Sequence, residues 1–159
     1  FIDAVRKQPE LRLVLVGGGS QANQLRQMLI KSGVMDKVHF GGRVGFNDLP
    51  KYYRSADLYL SASLTDGSSV SLMETLSCGT PALLSEIPGN LEWIDEETGW
   101  FFPVSDWQVL SDKLVEAYQK REQVRGEMRL NARKLAEERA DWPKNFLKLM
   151  DAYNMAVEK

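Results

Sequence analysis

Apolar positions along the chain follow two periods in alternation. Leu11 to Val16 is a short apolar run that stops at Gly17-Gly18-Gly19-Ser20, the pattern of a strand, a tight turn and a helix start. Leu25, Met28 and Leu29 recur at helical spacing between Gln21 and Ser32, and Gly33 suits the carboxyl cap of that helix. Val38-His39-Phe40 reads as a second strand, and Asp48 to Ser55 as a short helix with Leu49, Tyr52 and Tyr53 inward. The alternation continues with a strand over 57–61, a helix over 70–78 and a strand over 81–85. A helical turn near Leu91 to Ile94 precedes a last strand at Gly99-Trp100-Phe101-Phe102.

From Asp106 onward the pattern is helical. Trp107, Leu110, Leu114 and Tyr118 fall on one stripe, as do Val124, Met128, Leu135 and Ala136. Pro143 follows Asp141 in a first turn, where proline is tolerated, and Phe146, Leu149, Met150 and Tyr153 share one side of the final helix. Strands alternating with helices predict an α/β domain with a mostly parallel sheet and right-handed crossovers. The expected division is a Rossmann-like three-layer domain over 1–140 and a carboxyl-terminal helix over 141–159.

Composition narrows the function more than the fold. The chain has 159 residues and a formal net charge of −2, which gives no electrostatic reason to expect a nucleic acid partner. The lone Cys78 excludes an internal disulfide, and with a single histidine it excludes a zinc cluster of the usual kind. A cytoplasmic setting without metal is therefore expected. No apolar run reaches the length of a membrane span. Phe1 is not an initiator methionine, and Phe1-Ile2-Asp3-Ala4-Val5-Arg6 has the spacing of a helix under way, so the chain is expected to be part of a longer protein.

The candidate chemistry sits in Asp66-Gly67-Ser68-Ser69-Val70-Ser71-Leu72-Met73-Glu74, which runs on to Cys78-Gly79-Thr80-Pro81. Two carboxylates stand eight positions apart, at the ends of a small-residue loop that becomes a helix. In a parallel sheet such a loop lies at the carboxyl ends of the strands, where ligands bind. Projected at 100° per residue, Leu72 and Leu76 fall opposite Glu74, whose neighbours Val70, Ser71, Ser77 and Cys78 are small. A carboxylate on so apolar a helix needs an acceptable partner, and the vicinal hydroxyls of a ribose offer two donors to two oxygens. A helix-stabilising charge is the alternative for Glu74. Gly67, Ser68 and Ser69 would supply free amide protons for phosphate or sugar oxygens, or simply cap the helix.

The segment from Asp66 to Ser85, with Pro88-Gly89-Asn90-Leu91-Glu92-Trp93-Ile94 and Gly99-Trp100, resembles the carboxyl-terminal domain of the group 1, GT-B retaining glycosyltransferases typified by glycogen and sucrose synthases. Their signature places two acidic residues with seven between them, E-x7-E, followed by a helix ending in Cys-Gly-x-Pro. Leu13-Val14-Leu15-Val16-Gly17-Gly18-Gly19, the stretch from Val38 to Val44, and Tyr52-Tyr53-Arg54-Ser55-Ala56-Asp57 resemble the flanking family motifs in order.

The resemblance implies that the domain is one half of a GT-B fold and binds a nucleoside diphosphate sugar. Glu74 would grip the ribose hydroxyls and Asp66 would lie near the donor sugar. Backbone groups around Gly67, Ser68 and Ser69, together with Val70 and Ser71, would contact the sugar or diphosphate. Arg43 and Val44 would flank the base, and the turn at Gly17 and Gly18 would border the interdomain cleft. It further implies a hexosyl-type transferase without a metal cofactor, whose acceptor is a saccharide, a lipid-linked sugar or a small molecule bound by an amino-terminal domain. The family's phosphate-binding Arg and Lys are expected upstream of Phe1, so the fragment alone is expected to be inactive, and the whole enzyme is expected to be soluble or peripheral to a membrane. This chain carries Asp at the first acidic position, and Ser69 and Ser71 where many members have glycine and proline.

Other readings carry less. Gly17-Gly18-Gly19-Ser20 lacks the spacing of a dinucleotide fingerprint, because Ala22 stands where its last glycine belongs. His39 between Val38 and Phe40 reads as a satisfied structural histidine, Cys78 as an inert buried thiol, Glu86 as solvent-facing, and the charge-rich stretch 120–139 as a solvated outer face. A GT-B sugar-nucleotide epimerase and a non-enzymatic flavodoxin-like domain are the rivals. A phospho-receiver version of the latter lacks an acidic cluster after its first strand.

Overall fold

The computed structural model describes residues 1–157. Five strands and their intervening helices follow the predicted order, and every strand pairing is parallel. The strands form two sheets rather than one. β1 (Leu13–Val16) pairs with β2 (Val38–Gly42), and β3 (Tyr59–Ser61), β4 (Ala82–Ser85) and β5 (Gly99–Phe102) pair in that order.

β4 is the centre of the molecule. All four of its residues are buried, so the sheet is covered on both faces, as its apolar sequence requires. On one face Ala82 and Leu84 meet Leu72 and Leu76 of α4 (Val70–Ser77) and Ala132 and Ala136 of α8 (Arg129–Arg139). β5 is packed by α6 (Trp107–Gln119), which also contacts α1 (Ile2–Lys7). Gly99 admits no side chain: a Cβ there would overlap the Ala82 carbonyl oxygen and approach Ile94 Cδ1 to 2.8 Å.

A second cluster holds the smaller sheet. Val5 of α1, Leu29 of α2 (Ala22–Lys31), Val34 and Val38 are buried together with Leu13, Leu15 and Phe40 around them. The opposite face, with Val14, Val16 and His39, is exposed. His39 is therefore not a core residue, because the alternation of β2 turns it away from the face that Val38 and Phe40 bury. The two sheets share a polar joint, where Ser111 of α6 donates to Asp3 at 2.7 Å and Lys7 pairs with Asp112 at 2.8 Å.

The helical tail departs from expectation in two places. On α6 the buried residues are Ser111 and Ala117, whereas Trp107 is exposed. The single helix read after it is divided into α7 (Arg121–Gln123), a π-helical turn (Val124–Met128) and α8, with its charged outer face exposed and its apolar stripe turned inward as predicted. Val124, Met128, Ala132 and Ala136 are buried there. The final helix, α9 (Trp142–Val157), buries nothing, and Phe146, Leu149, Met150 and Tyr153 are all exposed. The short helix α5 (Pro88–Leu91) begins three residues before the predicted turn, because Pro88 starts it. Among the described residues no helix is long and apolar enough to cross a membrane.

Candidate functional site

The predicted site residues collect at the carboxyl ends of the strands in two clusters. The first joins the turns after β1 and β2. Gly17 donates its amide to the Gly42 carbonyl at 2.6 Å, and both glycines hold positive φ, 118° and 64°. That turn brings Gly18 against the Arg43 side chain, 3.8 Å from where a Cβ would stand. Gly41, Arg43, Val44 and Tyr52 line a recess of about 400 Å³ beside it. The strand register slips between Leu15 and Val16, which skips Gly41, and the ring of Tyr52 from α3 (Leu49–Ser55) lies over this glycine.

The second cluster is the acidic loop and α4. Ser69 caps the helix, its hydroxyl accepting from Leu72 N at 3.4 Å. The same hydroxyl lies 3.0 Å from Ser71 Oγ, which in turn lies 2.8 Å from the Tyr59 hydroxyl. The Ser69 and Ser71 side chains are thus engaged internally, and the loop meets solvent through Asp66, Gly67, Ser68 and Val70, all exposed. The loop rests on α5: a Cβ on Gly89 would overlap the Gly67 carbonyl oxygen and stand 2.8 Å from that of Asp66. Asn90, buried behind it, donates to the Ser85 carbonyl at 2.8 Å, and the Ser85 hydroxyl donates to the Ser63 carbonyl at 2.6 Å.

Glu74 lies half-buried on the side of α4 away from Leu72 and Leu76. Its Oε2 accepts a hydrogen bond from the Tyr53 hydroxyl of α3 at 3.1 Å. Among the described residues no cation lies within ion-pair distance of it. Burial, and then the neighbouring Glu74 carboxylate, push the Tyr53 phenol well above the usual tyrosine range, so it stays protonated and donates. Tyr53 also stacks edge-on against Tyr59, with ring centroids 6.1 Å apart.

Arginines from the tail fix the far ends of α3 and α4. Arg125 forms a two-point bond to Asp57, and Arg129 donates to the carbonyls of Arg54 and Ala56 at 3.1 and 2.9 Å. Arg133 donates to the Ser77 carbonyl. These are the last carbonyls of helices, where cations are favoured. Glu86 is solvent-exposed, as its loop position predicts, whereas Cys78 is partly exposed rather than buried.

Residues 1–138 match the family described as glycosyl transferases group 1. The chain belongs to this family. Membership displaces the flavodoxin-like alternative and agrees with the resemblance drawn from Asp66 to Trp100. Among relatives of the family, the GtfA subunit of a UDP-N-acetylglucosamine–peptide N-acetylglucosaminyltransferase from Streptococcus gordonii is 32% identical over 119 residues, covering 74% of this chain and 23% of that protein. A D-inositol 3-phosphate glycosyltransferase from Saccharomonospora viridis is 29% identical over 163 aligned positions, covering 96% and 37%. The structure of HepE from Anabaena in complex with UDP superposes with a TM-score of 0.87 at 20% identity, covering 97% of this chain and 44% of that one. The chain thus spans less than half the length of each, and the last likeness establishes the Rossmann-like fold alone.

Tyr53 and Tyr59 were not legible as site residues. Both look like ordinary core aromatics in sequence, and their contacts reach α4 across 21 and 12 positions. Gly89 carried a faint signal, as a glycine just after a proline at the carboxyl end of a strand.

Proposed function

We propose that this domain binds the nucleoside diphosphate sugar of a retaining glycosyltransferase. The observation that carries the reading is Glu74: a half-buried carboxylate beside a small-residue loop, held by one tyrosine and paired with no cation among the described residues. Such a group fits the two hydroxyls of a ribose, each donating to carboxylate oxygen. In this reading Arg43 and Val44 flank the base, Gly17 and Gly18 border the cleft, and the amides of Gly67, Ser68 and Ser69 approach the diphosphate or sugar. Val70 and Ser71 open the helix there, and Asp66 faces the donor sugar. The complexed UDP of the HepE structure supports a nucleotide donor.

The whole enzyme breaks the bond between the sugar anomeric carbon and the diphosphate oxygen and forms one to an acceptor hydroxyl oxygen, whose proton passes to the departing diphosphate. Positive charge and amide dipoles stabilise the departing diphosphate, so the proposed donor site uses no metal. The acceptor, a saccharide, lipid-linked sugar or small molecule, binds a domain beyond this chain, and the fragment alone turns over nothing. The setting is cytoplasmic, with the intact enzyme soluble or at a membrane surface.

Titration of the domain with UDP and GDP, followed by amide chemical shifts, tests the reading. Shifts are expected in residues 66–74 and 41–45. Their absence at millimolar nucleotide would overturn it.

A further inference from the structure

Only one of the two Glu74 oxygens is engaged within the chain. Oε2 accepts from Tyr53, and Oε1 has no partner among the described residues. No buried side-chain oxygen or nitrogen lacks a partner among these residues, so Oε1 opens to solvent. A carboxylate fixed at one oxygen loses rotation about its last bond and presents the other in a set direction.

The donor is itself held from several sides. The Tyr53 carbonyl accepts from the Thr80 hydroxyl at 2.7 Å, and Thr80 is fully buried. The ring stacks edge-on against Tyr59, whose own hydroxyl reaches Ser71 at the start of α4. The carbonyls of Arg54 and Ala56, one and three residues after Tyr53, are tied to α8 by Arg129. Tyr52, one residue earlier, lines the recess beside Arg43. Consecutive residues of α3 therefore touch both clusters of the site.

We propose that Tyr53 is a positioning residue, which fixes the Glu74 carboxylate so that its free oxygen meets the ribose diol of the donor. The inference rests on the donor-site reading above and adds a residue to it. Tyr53 touches no ligand; it acts through Glu74. Partial burial and the Glu74 carboxylate raise the phenol above the usual tyrosine range, so in this pair Tyr53 is the donor.

The experiment uses the intact enzyme with UDP, GDP and their 2′,3′-dideoxy analogues, measured by calorimetric titration. The wild type should bind the preferred ribonucleotide more tightly than its dideoxy analogue. Glu74→Gln should abolish that preference. Tyr53→Phe, which keeps the ring packing, should weaken the ribonucleotide about tenfold, the scale of one hydrogen bond to a charged group. It should leave the dideoxy analogue unchanged, and the double variant should lose no more than Glu74→Gln alone.

If Glu74→Gln keeps the preference, or the wild type shows none, the ribose role of Glu74 falls and this inference with it. If Glu74→Gln loses the preference while Tyr53→Phe matches the wild type, the donor site stands and Tyr53 has no positioning role. An equal loss for both nucleotides in Tyr53→Phe shows a purely structural residue, which also overturns the proposal.

Discussion

Gly89 is packed against the carbonyl oxygen of Gly67 so closely that a Cβ on Gly89 would overlap it. The loop bearing Asp66 is thereby seated on the first turn of α5, with no side chain between. Gly89→Ala must push the two apart, and overpacking of this kind costs about 1–3 kcal/mol. We expect a lower urea midpoint together with weaker UDP or GDP binding. A variant that matches the wild type in both would show that the loop does not depend on this contact.

Ser69→Ala removes the cap of α4 and should cost about 0.5–2 kcal/mol, with Ser69→Gly costing only a few tenths. Because the Ser69 hydroxyl is turned to Leu72 N and Ser71, nucleotide affinity should hardly change in either variant. Chemical denaturation and titration of the same samples check both halves. A large loss of affinity without loss of stability would reassign that hydroxyl to the ligand.

Leu76 is fully buried where α4 meets β4 and α8. Leu76→Ala should cost about 2–5 kcal/mol, read from the urea midpoint at unchanged slope. A cost below about 1 kcal/mol would mean that the site can collapse around the missing atoms.

The hydrogen bonds from Arg125 hold the Asp57 carboxyl below its ordinary value of 3.8. A group whose pKa is lowered by folding stabilises the fold above that range, and the contribution is lost as pH falls through it. Asp57→Asn should therefore melt below the wild type at pH 7, and the difference should close as the pH is taken from 3.8 down through the carboxyl's lowered range. Both side chains are about half exposed, so the effect is small and shrinks with salt. A difference that persists at low pH would point to a cause other than charge.

Sequence periodicity was enough for the order of the elements and for β5, whose bounds at Gly99 and Phe102 coincide with the prediction. Local signals explain this, since the apolar runs are short and bounded by glycine and proline. It located the small-residue loop and Glu74 because their spacing is local too. It did not show that the strands divide into two sheets, which depends on pairings between distant segments. It also missed the partner of Glu74, since nothing at Tyr53 marks one buried tyrosine from another. The stretch 120–139 has both the apolar stripe and the solvated outer face read from its sequence; what that sequence does not show is that its long arginine side chains also satisfy distant carbonyls.

The arginine row on α8 has a consequence for substitution. Arg129 reaches two carbonyls at once, at 2.9 and 3.1 Å, through two nitrogens of one planar fork. An ammonium is a point charge and cannot span both. An Arg-to-Lys exchange there keeps the charge yet releases one of the two carbonyls at the carboxyl end of α3, so positions that look interchangeable on a charged helix are constrained by shape.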